Sequence, residues 1–372
     1  MRWTFAIATL LPVLPMALGL WGGGAWVVVA ILSMTALVMG LDSLVRVTIP
    51  PDADGVEFPA GPLLSIVIGL SQIGLLAGFA ASVGAGRLPL VESLGLLYAL
   101  GLWLGQVGNA NAHELIHRPA RGLRRFGALL FTAILYGHHA SAHPRVHHRH
   151  VATPRDPATA RLGESFWAYA PRCWIDGFRA GHAAEAGLLR SRYGAGWRRH
   201  DPFIAYVGGA LAILAGLAAL GGPSMAAWYL GLCLFAQMQL MLSDYVQHYG
   251  LTRAIGPGGR PEPVGPRHSW NAPHWYSGAM MLNAPRHSDH HAHPARPFNT
   301  LALPDPADAP RLPRSLPVMA TLALFPTAWR RVMDRRARRW AAPGDGTAAK
   351  RPAPAPRDAG AASGQTGAVV AD

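Results

Sequence analysis

Lysine is almost absent from this chain of 372 residues: Lys350 is the single lysine, so arginine supplies nearly all the basic charge. Charged residues of every kind are scarce, at 14% against about a quarter in soluble proteins. The two cysteines, Cys173 and Cys233, form no CxxC pair, which argues against a disulfide framework or a thiolate site. Hydrophobic residues make up 51% of the chain, yet its net charge is +13, a combination typical of membrane proteins and not of soluble domains.

Apolar runs of about 20 residues, the length that crosses a bilayer, recur along the chain. They lie at about 3–21, 24–45, 63–84, 91–112, 203–221 and 225–243. The turns after the first, third and fifth runs contain one charged residue, Arg87, whereas segment 113–202 contains fourteen arginines. By the positive-inside rule, that segment and everything after about 244 face the cytoplasm. We therefore predict an all-α integral membrane protein with about six transmembrane helices.

Three other segments complete the organisation. The apolar segment 126–137 is short for a span and is predicted not to cross, since crossing would put the histidines before and after it on opposite faces. The segment 316–339, an apolar patch followed by arginines, is predicted to form an amphipathic helix over anionic lipid. We predict one membrane domain over 1–340 and a disordered tail over 341–372, which is rich in alanine, proline and glycine.

Small residues in the third apolar run have two interpretations. Gly69, Gly74, Gly78 and Ala81 are predicted either to let helices pack closely or to leave a channel between them. Close packing is the interpretation that the sequence favours for most of them.

The histidines carry the main functional signal. All seventeen fall between residues 113 and 293, and none lies in the first four apolar runs. Residues three or four apart share one face of a helix, so such a pair can present two imidazoles to one ion. The pairs that meet this rule are His113 with His117, His143 with His147, and His287 with His290 or His291. Neutral imidazole binds iron, zinc, copper or nickel, so the sequence predicts a metal centre at the cytoplasmic face.

Other interpretations account for less of this pattern. A solvated basic patch or a nucleic-acid surface needs lysine and arginine, not paired histidines beside membrane spans, so no nucleic-acid partner is predicted. HELIH matches the HExxH motif of zinc proteases, but that site would leave at least seven clustered histidines unused. A metal transporter places its polar ligands near the bilayer midplane, where these spans are almost free of ionisable residues. Isolated His182, His200 and His268 are interpreted as ordinary polar residues.

Four stretches together resemble a known family. HELIHRP, HPRVHHRHVATPRDPATAR, DYVQHYGL and LNAPRHSDHHAHPARPF resemble the successive motifs of bacterial alkane 1-monooxygenases, which belong to the membrane fatty acid desaturase/hydroxylase superfamily. The resemblance runs over about 1–340 and implies a non-haem di-iron centre of two Fe ions in the bacterial inner membrane. It also implies O2-dependent hydroxylation of a medium- or long-chain alkane to a primary alcohol, with electrons from rubredoxin and its reductase. An alkyl-aromatic substrate such as xylene, or fatty acyl desaturation, stays open.

The resemblance also implies a ligand set. The nine expected iron ligands are His113, His117, His143, His147, His148, His248, His287, His290 and His291. The second motif departs from the family, which usually has a glutamate before the first ligand and a glycine before the paired histidines. Those places are Ala142 and Val146 here, so one possible hydrogen-bond acceptor for a ligand imidazole is missing. His150 lies outside the ligand pattern.

Carboxylates beside these motifs are the predicted catalytic residues. Glu114, Asp244 and Asp289, with Asp156 as a further candidate, are expected to orient ligands or deliver protons, and salt bridges to arginine are the alternative. Electrons must come from another protein, because the sequence has no flavin, nicotinamide or iron–sulfur motif. Basic residues that could steer an acidic electron carrier, or merely satisfy the positive-inside rule, are Arg121, Arg124, Arg125, Arg198 and Arg199.

Overall fold

The computed structural model describes residues 2–45, 47–48, 50–51, 58 and 61–340, and within these ranges the chain forms helices and no strand. The α-helices are α1 (Arg2–Leu10), α2 (Val13–Gly22), α3 (Ala25–Met34), α4 (Ala36–Leu44), α5 (Gly61–Phe79), α6 (Leu90–Trp103), α7 (Asn109–Ile116), α8 (Arg121–Ala133), α9 (His139–Ala142), α10 (His148–His150), α11 (Phe166–Tyr193), α12 (Pro202–His248), α13 (Trp275–Met280), α14 (His287–Ala292), α15 (Leu316–Ala323) and α16 (Pro326–Trp340). The predicted all-α class is confirmed, whereas the predicted tail 341–372 lies outside the described residues.

Within the described residues, five helical runs are long and apolar enough to cross a membrane: Trp3–Gly22, Ala25–Leu44, Gly61–Gly84, Leu90–Ile116 and Phe166–His248. The first four coincide with the first four predicted spans. The fifth, of 83 residues, takes in both remaining candidates, so the structure has five such runs where the sequence predicts six. Inside α12 the backbone leaves the helical region at Gly222 (φ 79°, ψ 178°), just before Pro223. This break falls between the fifth and sixth predicted spans, because proline cannot donate the hydrogen bond that would continue the helix.

Buried amides join the helices that carry the first histidine motif. Asn109 at the start of α7 donates from Nδ2 to the Ala236 carbonyl on α12 at 3.0 Å, and Asn111 donates to Ser65 on α5 at 2.9 Å. Side-chain amides commonly link helices in this way in membranes, where no water competes for the bond. These bonds hold α7, and therefore His113 and His117, at the end of the bundle.

Two segments near the histidine motifs depart from the α-helical period. One lies just before the first motif, and the other is part of the second motif. Leu104–Gly108 and His143–His147 are π-helical turns, which have an i→i+5 hydrogen bond in place of i→i+4. In the second turn the His148 amide donates to the His143 carbonyl. Residues five apart therefore share one face of this turn. The side chains of His143 and His148 point the same way, and that of His147 points in another direction. His143 and His147, which the spacing alone would allow to share one ion, therefore lie in different groups of histidines.

The C-terminal helices cover the histidine end of the bundle. On α16, Trp329, Met333 and Ala337 are fully buried, while the arginines point away from the protein. The helix is thus amphipathic, but its apolar face packs on the protein, and the segment predicted as one helix is divided into α15 and α16. α8, with 13 residues, is too short to cross a bilayer and overlaps the segment predicted not to span.

The seam between α6 and α12 depends on two glycines. A Cβ atom at Gly101 would overlap the ring of Phe235, and one at Gly105 would overlap the side chain of Gln239. Neither neighbour can give way easily, because both lie in the packed interface between the two helices. The absence of a side chain at these positions lets α6 approach α12 closely, as small residues do between membrane helices.

We expect Gly101→Ala to lower the free energy of unfolding by about 1–3 kcal/mol, the usual effect of overpacking a core. Gly216→Ala is the matched control, since a Cβ at this α12 position meets no atom within 4 Å. Thermal unfolding in detergent micelles measures both effects. Equal melting temperatures for Gly101→Ala and the unmodified protein would contradict this account of the seam.

Candidate metal centre

All nine predicted ligands converge at the ends of α7, α10, α12 and α14, in two groups. His113, His117, His143, His148 and His290 form the first, which we call the five-histidine cluster. His147, His248, His287 and His291 form the second, the four-histidine cluster. Within each cluster one nitrogen from every ring lies within 4.8 Å of the others. Each cluster therefore combines side chains from distant parts of the sequence around one small volume.

The contacts in the five-histidine cluster are not ordinary hydrogen bonds. The Nε2 atom of His143 lies 2.7 Å from Nε2 of His113 and 2.9 Å from Nε2 of His148, which in turn lies 3.1 Å from Nε2 of His290. Each ring nitrogen offers one proton or one lone pair, so this chain of contacts cannot be satisfied by separate linear bonds. His117 Nε2 is buried without a hydrogen-bond partner. An ion shared by these nitrogens would satisfy all of them.

The four-histidine cluster has the same form. The Nε2 atom of His287 lies 2.9 Å from that of His248 and 3.1 Å from that of His291. His147 Nε2 is buried and has no hydrogen-bond partner. For metal–nitrogen bonds of about 2.1 Å, neighbouring ligand nitrogens lie about 3.0 Å apart at right angles and about 3.4 Å apart at tetrahedral angles. The contacts of 2.7–3.1 Å in the two clusters are therefore of the order expected between nitrogens that bind one ion.

Protonation supports the same conclusion. Burial, with repulsion from neighbouring imidazoles, lowers the pKa of His143, His148 and His290 well below the usual histidine range. Burial also lowers the pKa of His117 to about 4. These rings are therefore neutral at pH 7, and a neutral ring is the form that binds metal ions.

His147 differs because it has an acidic partner. Its Nδ1 atom donates to Oδ2 of Asp156 at 2.8 Å, and this leaves Nε2 directed into the four-histidine cluster. Burial lowers the pKa of His147, but the Asp156 charge and hydrogen bond outweigh it, so the net pKa is raised. A carboxylate that receives the distal N–H of a metal-binding histidine fixes its tautomer and orientation.

The loop after the second motif holds Asp156 in place. Thr159 Oγ1 donates to Oδ2 at 2.6 Å, and the Ala158 amide donates to Oδ1 at 3.1 Å. These bonds are made within the stretch VATPRDPATAR, which explains why threonine and aspartate occur together there. Asp156 therefore has the clearest orienting contact of the acidic residues singled out in the sequence, although it is only the fourth candidate there.

The three principal carboxylate candidates have different surroundings. Glu114 lies in a buried ion pair with Arg118 at 2.9 Å. Asp289 accepts from Arg296 Nη1 at 2.7 and 2.8 Å and from the Ala302 amide at 2.8 Å, bonds that tie α14 to the following loop. Asp244 lines both cavities at the clusters. Asp244 thus differs from the other two in that it borders the space beside the imidazoles.

An apolar cavity lies against both clusters, between α7, α12 and α15. His113 and His143 of the five-histidine cluster and His287 of the four-histidine cluster form part of its wall. Its other walls include Leu240, Met281, Leu316 and Ala320. A second, smaller cavity lies behind His143 and is lined by Asp156 and Asp244. The first cavity therefore opens beside imidazoles of both clusters.

His139 and Glu185 are two residues near the centre that the sequence did not single out. His139 lines both cavities, and its ring centroid lies 5.0 Å from that of His143. Glu185, buried on α11, accepts from Ser141 Oγ at 2.8 Å and from Arg145 Nε. Ala142 packs against Gly181 of α11. A Cβ atom added to Gly181 would lie 3.0 Å from the Cβ atom of Ala142. A carboxylate beside the second motif thus comes from α11, through Glu185, while Ala142 lines the second cavity.

Comparison with known proteins agrees with this geometry. The family model described as fatty acid desaturase matches residues 88–323, more than half of the chain. Alkane 1-monooxygenase 2 of Pseudomonas aeruginosa is 32% identical over 73% of this chain and 73% of its own length. The chain belongs to the alkane 1-monooxygenase branch of the fatty acid desaturase family. With its five long apolar helices, it is a multi-pass membrane protein.

Two further relatives of this chain have names that describe an activity. Alkane 1-monooxygenase 1 of Alcanivorax borkumensis is 37% identical over 67% of this chain, and the match covers 61% of that protein, less than two thirds. The xylene/toluene monooxygenase hydroxylase component of Pseudomonas putida is 28% identical over 84% of this chain and 82% of its own length. The matched region of the family, 88–323, contains every histidine of both clusters.

We expect Asp156→Ala to weaken metal binding at the four-histidine cluster by 10- to 100-fold, the usual effect of removing such an orienting partner. Titration of metal-free protein with Fe²⁺ or Co²⁺ measures the two affinities, and one should change while the other stays. Asp176→Ala, which removes an exposed carboxylate paired with Arg179 on α11, is the control. Unchanged affinity at both sites would show that Asp156 does not orient His147.

Proposed function

We propose that the protein is a membrane non-haem di-iron monooxygenase that uses O2 to hydroxylate the terminal carbon of a medium- or long-chain alkane to a primary alcohol. The observation that carries the proposal is the pair of all-histidine clusters beside one apolar cavity. Relatives in its family are named alkane 1-monooxygenases. An unactivated C–H bond needs a redox-active metal, which zinc is not.

Each cluster would hold one iron ion. His113, His117, His143, His148 and His290 would bind one, and His147, His248, His287 and His291 the other. Bound iron supplies the electron transfer to O2 that the protein's own side chains cannot perform. The protein's contribution is to bring the nine rings together, to orient His147 through Asp156, and to align the end of an apolar chain beside them.

Asp244 is the proposed proton carrier. Its side chain lines both cavities, and it is 8% exposed. A carboxyl group placed there could exchange a proton between the first cavity and the smaller one, which Asp156 also lines. Glu114 and Asp289 are proposed to maintain the architecture through their bonds to arginine, which is the alternative that the sequence leaves open for them.

The proposed topology has six spans in the bacterial inner membrane, with the clusters on the cytoplasmic side. The break at Gly222 supports division of the last helical run into two crossings. Fourteen arginines in 113–202, against one charged residue in the turns on the opposite side, support this orientation. Reduced rubredoxin, supplied by its reductase, is the proposed electron donor. The arginine-rich cytoplasmic face suits a small acidic protein of this kind.

Two alternatives differ in how far the structure supports them. Proteolysis through HELIH needs Glu114 as a general base, but its carboxylate is already paired with Arg118 inside the protein. Hydroxylation of an alkyl-aromatic is the second candidate, because a relative named xylene/toluene monooxygenase matches 84% of the chain. Xylene, octane and an acyl lipid are therefore the substrates to compare.

Purified protein supplied with Fe²⁺, rubredoxin, rubredoxin reductase and NADH should convert octane into 1-octanol. Gas chromatography of products from octane, xylene and an acyl lipid decides between the activities. A methyl-hydroxylated xylene without octanol would favour the second candidate, whereas a new double bond in the acyl chain would replace hydroxylation by desaturation.

His147→Ala and His150→Ala form the matched pair of variants for this assay. Both remove an imidazole from the same short helical stretch, but only His147 belongs to a cluster. We expect His147→Ala to abolish alcohol formation and to lose one bound iron of two, while His150→Ala keeps both. Equal loss in the two variants would contradict the ligand assignment.

A further inference from the structure

A groove between α2 and α5 lies at the end of the bundle opposite the histidine clusters. α2 contributes Val13, Ala17, Leu20 and Trp21, and α5 with its π-helical end contributes Ser71, Gly74, Leu75, Gly78 and Ser82. Arg87 and Leu88 close one end. Apart from that arginine, the walls are apolar or small, and none of these residues belongs to the metal centre.

The depth of this groove in the membrane follows from helix lengths. The run Leu90–Ile116 begins three residues after Arg87 and carries His113 near its other end. Its 27 residues extend about 40 Å at 1.5 Å per residue, which is about the full thickness of a bilayer with its headgroups. Arg87 therefore lies at the membrane surface opposite the histidine clusters, at headgroup level.

The length of the groove matches one leaflet. Ser71 and Ser82 are eleven residues apart on one helical run, which corresponds to about 16 Å along its axis. Half of a hydrocarbon core of about 30 Å is about 15 Å. A single acyl chain that begins at headgroup level would therefore follow the groove to the middle of the bilayer.

Small side chains keep the groove open. A Cβ atom at Gly74 would meet no atom within 4 Å, so helix packing does not require glycine there. One at Gly78 would approach Leu20 on the opposite wall at 3.1 Å. The space beside Gly74 is thus open to a molecule other than this chain.

Arg87 gives the groove a chemical preference. It is the single charged residue in the three turns on this side, and its side chain is exposed. Among the residues that the structure describes, none forms an ion pair with it, although the acidic Glu92 lies five residues away against Gly23. Trp21, 87% exposed at the same end, has the position of an interfacial aromatic residue.

We propose that this groove binds one anionic phospholipid, with its phosphate on the Arg87 guanidinium and an acyl chain between α2 and α5. Apolar walls as long as one leaflet and an unpaired cation at headgroup depth complement the two parts of such a lipid. The same groove has no connection to the chemistry proposed at the histidine clusters, so this site does not depend on that function.

The test uses purified full-length protein in detergent, mixed with phosphatidylglycerol or phosphatidylcholine, with bound lipid counted by native mass spectrometry. One phosphatidylglycerol per chain should be retained. Arg87→Gln should weaken its binding about fivefold, the ratio that corresponds to about 1 kcal/mol for one basic residue near an anionic surface. Arg179→Gln is the control, since Arg179 is an exposed arginine on α11 outside the groove.

A second variant tests the acyl part. Gly74→Leu fills the groove and should reduce retention of both lipids, whereas Gly216→Leu, an equally open position on α12, should reduce neither. Equal effects of Arg87→Gln and Arg179→Gln, or full lipid retention in Gly74→Leu, would overturn the proposal. So would equal binding of the two lipids, because Arg87 would then select nothing.

Discussion

Nine imidazole rings meet in two small volumes at one end of the helix bundle, and the rest of the fold serves to hold them there. Burying a polar nitrogen without a partner costs free energy, and the Nε2 atoms of His117 and His147 are buried in that state. Metal ions would repay this cost at each cluster. Because the ligands come from α7, α10, α12, α14 and the turn between α9 and α10, folding must join distant segments before either site exists.

The π-helical turn at His143–His147 lets one short segment serve two metal ions. In a regular α-helix His143 and His147 would face the same way, and His148 would point about 100° away from His147. The i→i+5 bond changes this, so that His143 and His148 join five histidines while His147 joins four. The short helix α14 also supplies ligands to both clusters, but with a regular α-helical period. His287 and His291, four residues apart, belong to the four-histidine cluster, and His290 belongs to the five-histidine cluster.

These two segments show how far sequence reasoning reaches. Length and hydropathy predicted the first four apolar runs well, since crossing a bilayer is a constraint on composition. The motif resemblance predicted the nine histidines that meet in the two clusters, but it left open which ring belongs to which cluster, because a local change of helical period leaves no mark in residue spacing. The orienting role of Asp156 and the position of Glu185 depend on contacts across nine and forty-four residues. Such contacts become visible only when the loop and α11 are in place.

The two clusters also differ in the carboxylates that surround them, and therefore in their attraction for a metal ion. Two carboxylates, Asp156 and Asp244, act on His147 of the four-histidine cluster. By contrast, the carboxylate nearest the other cluster in sequence, Glu114, is neutralised by Arg118. Negative charge beside a site favours a bound cation, so the surroundings of the four-histidine cluster attract a metal ion more strongly than those of the five-histidine cluster. The same ion pair distinguishes HELIH from the zinc protease motif. Glu114 occupies the position of the general base in that motif, but here its carboxylate is bound by Arg118.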